Sequence, residues 1–284
     1  MRRLIFIIFS ISICTISIAQ NHPKVGLVLG GGGAKGAAAV GVLKYVEKSG
    51  IHIDYIVGSS IGAIIGGLYS VGYRSQQLDS LFTNMDWEKF FSGSMSGTQQ
   101  ISDVFASWIN LPDSIDFDTL PIPFRCVAAD INTTQEVVLS KGYLAKAMRA
   151  SMAIPGAFKP VKWGEMLLVD GGMMNNLPVD VAKEMGADII IAIDLTQNKH
   201  EDRTFSLKET LGIGGVLDWL VSRPDWKKYN KNRKMADIYI NPNLKGFNTA
   251  SFSSDDIKKM IRIGEKAGKA AFKDLELKAL NKAH

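Results

Sequence analysis

Residues 24–73 repeat one pattern twice: a short apolar run, a glycine-containing turn, and then small apolar residues at helical spacing. The first copy reads KVGLVL, GGGGAKG and AAAVGVLKYVEKSG, and the second reads IDYIVG followed by SSIGAIIGGLYSVGY. Two successive strand–helix units place their strands parallel, because each helix carries the chain back to the edge where its strand began. The pattern predicts an α/β fold, with a mainly parallel central sheet in a three-layer α/β/α sandwich.

The remaining sequence adds further strands and helices. PFRCVAADI (123–131), the polar residues 132–134 and EVVLSKG predict a hairpin, whereas residues 80–120 show no clear sheet. MLLVDGG predicts a strand that ends in a glycine turn, ADIIIAIDL a strand buried on both faces, and ADIYINP an edge strand. Helices are expected over YLAKAMRASMAI, PVDVAKEMG, residues 205–230 and SSDDIKKMIRIGEKAGKAAF. No linker-like segment interrupts residues 20–284, so these residues are expected to form one domain.

The amino terminus has the features of an export signal. Arg2 and Arg3 precede a nearly continuous apolar run, Leu4–Ile18, and small residues lie just before Gln20. We expect residues 1–19 to be a signal peptide and the protein to be periplasmic, outer-membrane-associated or secreted. An uncleaved anchor is the alternative, although the run of about 15 residues is shorter than the roughly 20 that a membrane span needs.

Charge and cysteine content exclude several classes of function. Loss of Arg2 and Arg3 with the signal lowers the formal net charge from +5 to +3, and the basic residues are interleaved with acids, so no nucleic-acid binding is expected. Cys126 is then the only cysteine, and its apolar surroundings predict a buried structural thiol. No histidine, cysteine and aspartate cluster has metal-ligand spacing, so neither a metal nor a cofactor is expected.

Ser60 is the first candidate for catalytic chemistry. The pattern Gly58-x-Ser60-x-Gly62 lies between a predicted strand and a predicted helix, which is the setting of a nucleophile elbow. A strained turn there projects the serine hydroxyl from the sheet edge, and the flanking glycines let neighbouring backbone approach. The alternative is a turn without a chemical role.

The glycine loop GGGGAKG is the second candidate. Successive backbone amides at the start of a helix can hold an oxyanion or a phosphate. Gly31-x-Gly33-x-x-Gly36 also fits the dinucleotide fingerprint, but that site needs an acid at the end of the second strand, and Asp54 lies at its beginning. A P-loop is excluded because no Gly-Lys-Ser/Thr follows. An oxyanion hole next to Ser60 is the favoured interpretation, and a structural turn is the alternative.

A serine nucleophile needs a base. His200 is the only histidine suited to a Ser-Asp-His triad, and it lies in the polar stretch TQNKHEDR. Asp170 ends an apolar strand before Gly171-Gly172, as expected at a sheet edge where sites form, although a simple turn aspartate is the alternative. An aspartate has a pKa near 4, which burial can raise toward the range useful to a general base.

Four motifs in this order resemble the patatin-like phospholipase family, and most closely its bacterial branch related to neuropathy target esterase: GGGGAKG, GSSIG, ASMAIPGAFKPV and DGGMMNNLPV. The resemblance covers about residues 24–195. It implies a three-layer α/β/α fold and a Ser–Asp dyad without histidine, in which Ser60 is the nucleophile and Asp170 its partner. It also implies an oxyanion hole formed by three residues: Gly31, Gly32 and Gly33.

The resemblance further implies a lipid acyl hydrolase of the phospholipase A or lysophospholipase type, which acts on phospholipid or lysophospholipid through an acyl-enzyme intermediate. Peripheral contact with a membrane is expected, and residues 211–226 would rest on it, cover an acyl pocket or form an ordinary core helix. Two alternatives stay open. One is a lipid-binding or scaffolding protein of the same fold without turnover, and the other is an esterase that uses His200.

Overall fold

The computed structural model describes residues 22–87, 90, 98–196 and 226–282. The strands are β1 (Val25–Leu29), β2 (Tyr55–Ser59), β3 (Ile115–Asp116), β4 (Phe124–Asp130), β5 (Gln135–Leu139), β6 (Lys141–Gly142), β7 (Val161–Trp163), β8 (Met166–Asp170), β9 (Ile189–Ile193) and β10 (Ile238–Ile240). The α-helices are α1 (Gly36–Lys48), α2 (Ile61–Ser70), α3 (Ser75–Asn84), α4 (Thr98–Trp108), α5 (Leu144–Ser151), α6 (Val179–Glu184), α7 (Trp226–Met235) and α8 (Ser254–Lys282).

The central sheet has eight strands and is mainly parallel, as predicted. Its order is β10-β9-β1-β2-β4-β8-β7, and β5 pairs with β4. The first five of these strands run parallel, whereas β5, β7 and β8 form antiparallel pairs. The predicted β4–β5 hairpin and the edge position of β10 are confirmed. A small antiparallel pair, β3 with β6, was not predicted from the sequence.

Helices cover both faces of the sheet. Alternate residues of a strand point to opposite faces: Leu27 and Leu29 of β1 join a large apolar core with α1, α2, α5 and α8, whereas Val28 joins a smaller core with α6 and α7. Strands β2, β4 and β9 divide their residues between the two cores in the same way. This division confirms the three-layer arrangement, and it explains why β9 is an uninterrupted apolar run.

Two strands meet end to end along one edge of β4. Val127 of β4 pairs with Ser59 of β2, and Ala128 pairs with Asp170 of β8. Both β4 residues also pair with β5, so β2 and β8 must share the opposite edge. Because β2 runs parallel to β4 and β8 runs antiparallel, their carboxyl ends converge at Val127 and Ala128. The end of β2 and the end of β8 are thereby neighbours in space.

Several predictions fall on residues that are not described. The signal sequence 1–19, His200 and most of the predicted helix over 205–230 lie outside the described residues, and they remain predictions. Within the ranges that are described, no helix combines the length and the apolar character needed to cross a membrane.

Candidate active site

Ser60 occupies the corner between β2 and α2. Its backbone has φ 54° and ψ −125°, a combination that costs free energy for a residue with a Cβ atom. The corner depends on the two flanking glycines. A Cβ on Gly62 would lie 2.1 Å from the Leu29 carbonyl oxygen, and one on Gly58 would lie 2.4 Å from the Gly62 carbonyl oxygen. The strand, strained serine and helix that the sequence predicts are all present.

The Ser60 hydroxyl is hydrogen-bonded to Asp170. Ser60 Oγ donates to Asp170 Oδ2 at 2.6 Å, and Asp170 Oδ1 accepts from the Gly172 amide at 2.8 Å. Both residues are buried, with exposed fractions of 7% for Ser60 and 3% for Asp170. The two residues lie 110 positions apart in the chain, and the end-to-end meeting of β2 and β8 brings them together.

Burial raises the pKa of Asp170 to about 6, against hydrogen bonds from Ser60 and Gly172 that lower it. Among the described residues, no cationic side chain forms an ion pair with this carboxylate. A carboxylate with a pKa near 6 is still mostly ionised at neutral pH, and it is a stronger proton acceptor than an exposed aspartate. The pair therefore has the hydrogen bond and the basicity that general-base activation of a serine requires.

Ser151 supports the corner from α5, and the sequence did not reveal this role. Its Oγ accepts a hydrogen bond from the Ser60 amide at 2.9 Å and donates to the Val127 carbonyl oxygen at 2.6 Å. The hydroxyl thus ties the strained backbone of Ser60 to strand β4. Ser151 belongs to the motif ASMAIPGAFKPV, but only the fold shows that it contacts Ser60.

The glycine loop follows β1 and lies beside Ser60. Gly30 donates its amide hydrogen to the Ile193 carbonyl at 3.0 Å, and Gly31 donates to the Asn176 carbonyl at 3.2 Å. In the part of the chain that the structure describes, the amides of Gly32 and Gly33 have no acceptor. Of the three amides predicted to form an oxyanion hole, the Gly31 amide is engaged with the protein, and the other two have no acceptor among the described residues.

Asn176 joins the glycine loop to the Asp170 turn. Its side-chain amide donates to the Gly31 carbonyl at 3.4 Å, and its Oδ1 is buried without a hydrogen-bond donor among the described residues. A Cβ atom would lie 2.3 Å from this oxygen if placed on Gly31 and 2.7 Å if placed on Gly172. The close contact on both sides explains why each loop has glycine at that point.

A buried carboxylate holds the other side of the glycine loop. Leu195 lies against Gly32, where a Cβ would be 2.8 Å from the leucine Cβ. The preceding residue, Asp194, accepts hydrogen bonds from the hydroxyls of Tyr229 and Tyr239. Burial and the Asp194 charge raise the pKa of both tyrosines, so these hydroxyls stay protonated donors. These hydrogen bonds fix Asp194, and with it the adjacent Leu195, against which Gly32 packs.

A narrow apolar slot opens beside the Ser60 hydroxyl. It has a volume of about 20 Å³ and is lined by Gly33 and Ser60 together with apolar side chains. These apolar side chains are Ile61, Ile64, Met152, Ile154 and Phe252. Such a lining suits an acyl chain better than a polar group.

The structure also groups His22, His52 and Asp54 at the beginning of β2, where their ligand atoms lie within 4.8 Å of one another. The sequence did not indicate this cluster, because its spacing is not that of a metal motif. Lys24 Nζ lies 2.9 Å from the same Asp54 oxygen that faces His22. The carboxylate is thus already paired with an ammonium group, and the cluster is held by an ion pair between Lys24 and Asp54.

Two further predictions concern Asp54 and Cys126. Asp54 donates its amide hydrogen to the Val25 carbonyl at the start of β1, so it lies at the opposite end of the sheet from the glycine loop and is not placed to bind a dinucleotide ribose there. Cys126 is fully buried, as predicted, and burial raises the pKa of its thiol. A protonated, inaccessible thiol is consistent with a structural role.

Known proteins share this sequence pattern. Residues 27–183 match a family model described as patatin-like phospholipase. Patatin-like phospholipase domain-containing protein 7 of Rattus norvegicus is 31% identical over an alignment 297 residues long. The alignment covers 87% of this chain and 20% of that protein. Lysophospholipase NTE1 of Candida albicans is 33% identical over 193 residues, which cover 65% of this chain and 14% of that protein. The chain spans a fifth or less of the length of these relatives.

Solved structures share the fold at low sequence identity. VipD from Legionella pneumophila aligns with a TM-score of 0.58 and 15% identity, over 89% of this chain and 67% of that one. The type III effector protein ExoU aligns with a TM-score of 0.53 and 14% identity, over 90% of this chain and 54% of that one. At such identities the likeness concerns the fold alone.

Proposed function

Because the chain belongs to the patatin-like phospholipase family, we propose that it hydrolyses carboxylic esters of phospholipids or lysophospholipids, with Ser60 as nucleophile and Asp170 as base. The observation that carries this proposal is the 2.6 Å hydrogen bond from Ser60 Oγ to Asp170 Oδ2. It lies at the mouth of an apolar slot and beside two glycine amides that have no acceptor among the described residues. No cofactor takes part in the proposed reaction.

In the first half of the reaction, Asp170 accepts the hydroxyl proton while Ser60 Oγ attacks the ester carbonyl carbon. The carbonyl oxygen becomes an oxyanion, and the amides of Gly32 and Gly33 donate hydrogen bonds to it. Each well-placed donor of this kind contributes on the order of 3 kcal/mol to transition-state stabilisation. Collapse of the tetrahedral intermediate breaks the ester bond, and the alcohol leaves with the proton from Asp170.

In the second half, water attacks the acyl group on Ser60. Asp170 accepts a proton from this water, and the same amides hold the second oxyanion. The Ser60–acyl bond then breaks, Ser60 regains its proton, and the fatty acid is released. A base with a pKa of about 6 serves both halves, because it is ionised before each attack and gives up its proton readily.

The decisive experiment measures fatty-acid release from mixed phospholipid vesicles, with EDTA present, by the parent protein and by Ser60→Ala. We expect the variant to be slower by about 10³-fold or more. Ser59→Ala is the matched control, because the neighbouring Ser59 hydroxyl is buried without a hydrogen-bond partner among the described residues. Equal inactivity of parent and Ser60→Ala on vesicles and on short soluble esters would favour the lipid-binding or scaffolding alternative.

Replacement of His200 separates the dyad from the triad. We propose that His200→Ala keeps a nearly normal rate, because the Ser60 hydroxyl donates its hydrogen bond directly to Asp170. A large loss of rate, with the fold intact, would instead support an esterase that uses Ser60, Asp170 and His200. Separation of the released products then distinguishes phospholipase A from lysophospholipase activity.

We also propose that the protein is exported and contacts lipid surfaces peripherally. The Arg2–Arg3 pair and the apolar run that follows support export. Amino-terminal sequencing of the protein recovered from outside the cytoplasm tests this, and a start at Gln20 is expected. An intact amino terminus on membrane-bound protein would support the uncleaved anchor.

A further inference from the structure

The slot beside Ser60 is too small for the acyl chain of a lipid. Its volume of about 20 Å³ holds roughly one water molecule. Pockets that enclose a drug-sized ligand measure roughly 300–1,000 Å³. Within the part of the chain that the structure describes, an ester with a long acyl chain therefore fits this slot only if one of its walls moves.

Four of the apolar walls are held firmly. Ile61 and Ile64 belong to α2, every residue of which is buried. Met152 and Ile154 follow α5, are 3% and 4% exposed, and take part in backbone hydrogen bonds on both sides. A shift of either backbone segment would disturb the corner at Ser60, because α2 begins directly after Ser60 and Ser151 precedes Met152.

Phe252 is different, because it lies in the connector between β10 and α8 and is only partly buried. Its ring stacks on Trp87, with 5.1 Å between ring centroids and 27° between planes. Trp87 is itself 4% exposed and packs against Phe82 and Phe90. The phenylalanine ring thus separates the slot from an aromatic cluster, and its rotation would join the two apolar regions.

The backbone of the connector is fixed close by, so movement is confined to the side chain. The Thr249 carbonyl accepts the Ala34 amide hydrogen at 2.9 Å. Gly33 has φ +56°, and a Cβ placed on it would lie 2.4 Å from that same carbonyl oxygen. The connector therefore packs directly on the glycine loop, and a shift of its backbone would displace an amide that is proposed to hold the oxyanion.

We infer that Phe252 sets the acyl-chain selectivity of this site. The inference rests on the proposed function and deepens it. With the ring in place, the slot admits a very short acyl group, whereas a longer chain must displace the ring and take the position that it leaves between Ser60 and Trp87. The acyl chain of the ester would then extend toward the aromatic cluster of Phe82, Trp87 and Phe90.

The test compares kcat/KM for p-nitrophenyl acetate, butyrate, octanoate and decanoate. Phe252→Ala removes the wall, and we expect the ratio of octanoate to acetate to rise about tenfold. Phe252→Trp enlarges the wall and is expected to lower the ratio. Phe247→Ala is the matched control, because Phe247 lies in the same connector and is partly buried against the core, but does not line the slot.

Each outcome is decisive because the ratio does not depend on the fraction of protein that is folded. A ratio that stays within twofold of the parent in both Phe252 variants would overturn the inference, and so would an equal shift in Phe247→Ala. A parent protein without Ser60-dependent hydrolysis of any of the four esters would contradict the proposed function itself.

Discussion

Two aspartates lie at the two ends of β2 and have opposite environments. Asp54, before the strand, accepts the Val25 amide hydrogen and the Lys24 ammonium, each at 2.9 Å. Asp170, beyond the other end of the strand, accepts the Ser60 hydroxyl and one backbone amide, with no cation paired to it among the described residues. Asp170 is also less exposed than Asp54, at 3% against 9%. Deeper burial and different partners thus give one structural carboxylate and one candidate base.

The pKa values of the two aspartates shift in opposite directions. Burial by itself would raise the pKa of Asp54, but the hydrogen bond from Val25 and the pairing with Lys24 outweigh it, and the pKa is lowered. Asp170 is buried more deeply, so its desolvation exceeds the effect of its hydrogen bonds, and the pKa rises to about 6. Deep burial, together with the lack of a paired cation among the described residues, makes Asp170 the better proton acceptor.

The largest expected effect is on catalysis. Asp170→Asn leaves a side chain of the same shape that cannot accept the Ser60 proton, so kcat should fall by about 10³-fold or more. Asp54→Asn should leave kcat within about twofold, because Asp54 lies at the far end of β2. Steady-state rates with a short soluble ester test both variants. Comparable losses in the two would remove the functional contrast between the aspartates.

The second prediction concerns stability at pH 8, where Asp170→Asn should raise the free energy of unfolding and Asp54→Asn should lower it. Asp170→Asn removes the cost of an ionised buried carboxylate, and a pKa of about 6 instead of 3.8 corresponds to a gain of at most about 3 kcal/mol. Asp54→Asn removes a charge-assisted pairing and should lower the free energy of unfolding by about 1–2 kcal/mol. Urea unfolding measures both, and changes of the same sign would contradict the prediction.

The third prediction is a pH profile. Since Asp170 must be ionised to accept a proton, kcat/KM should rise with pH, about tenfold per unit below pH 6, and level off above it. The contributions of Asp170 and Asp54 to the free energy of unfolding change with pH in opposite directions. Asp170 destabilises the fold as pH rises from its unfolded-state pKa through 6, whereas the contribution of Asp54 is lost as pH falls below its unfolded-state pKa. Because Asp54 lies at the far end of β2, Asp54→Asn should leave the midpoint of the kcat/KM profile unchanged. A shifted midpoint would argue against Asp170 as the titrating base.

The smallest expected effect is the loss of kcat when Ser151 is replaced. Ser151 contacts Ser60 at the carboxyl end of β2, the end opposite Asp54. Ser151→Ala removes the acceptor of the Ser60 amide hydrogen, and we expect kcat to fall about tenfold while KM changes little. Ser59→Ala is the control, since Ser59 Oγ has no partner within the described ranges. Rescue of kcat by Ser151→Thr, which restores a hydroxyl, would separate positioning from a general loss of packing.

The sequence indicated the local parts of the site well. GSSIG between a strand and a helix predicted the corner at Ser60, because a turn of five residues is decided by short-range sterics and glycine content. Seven of the strands also followed from local apolar patterns, whereas the short strands β3, β6 and β7 did not. The role of Ser151, the engagement of the Gly31 amide and the cluster around Asp54 were not found, because each depends on contacts between segments that are distant in the chain.

By itself, the sequence determined the strand–turn–helix units, the glycines and the identity of the two candidate catalytic side chains. Only the tertiary structure decided that Ser60 and Asp170 share a hydrogen bond, since β2 and β8 approach from opposite directions along one edge of β4. It also decided the basicity of Asp170, because desolvation and the placing of charges are properties of the packed fold. Local patterns specify which groups exist, and packing specifies their distances and surroundings.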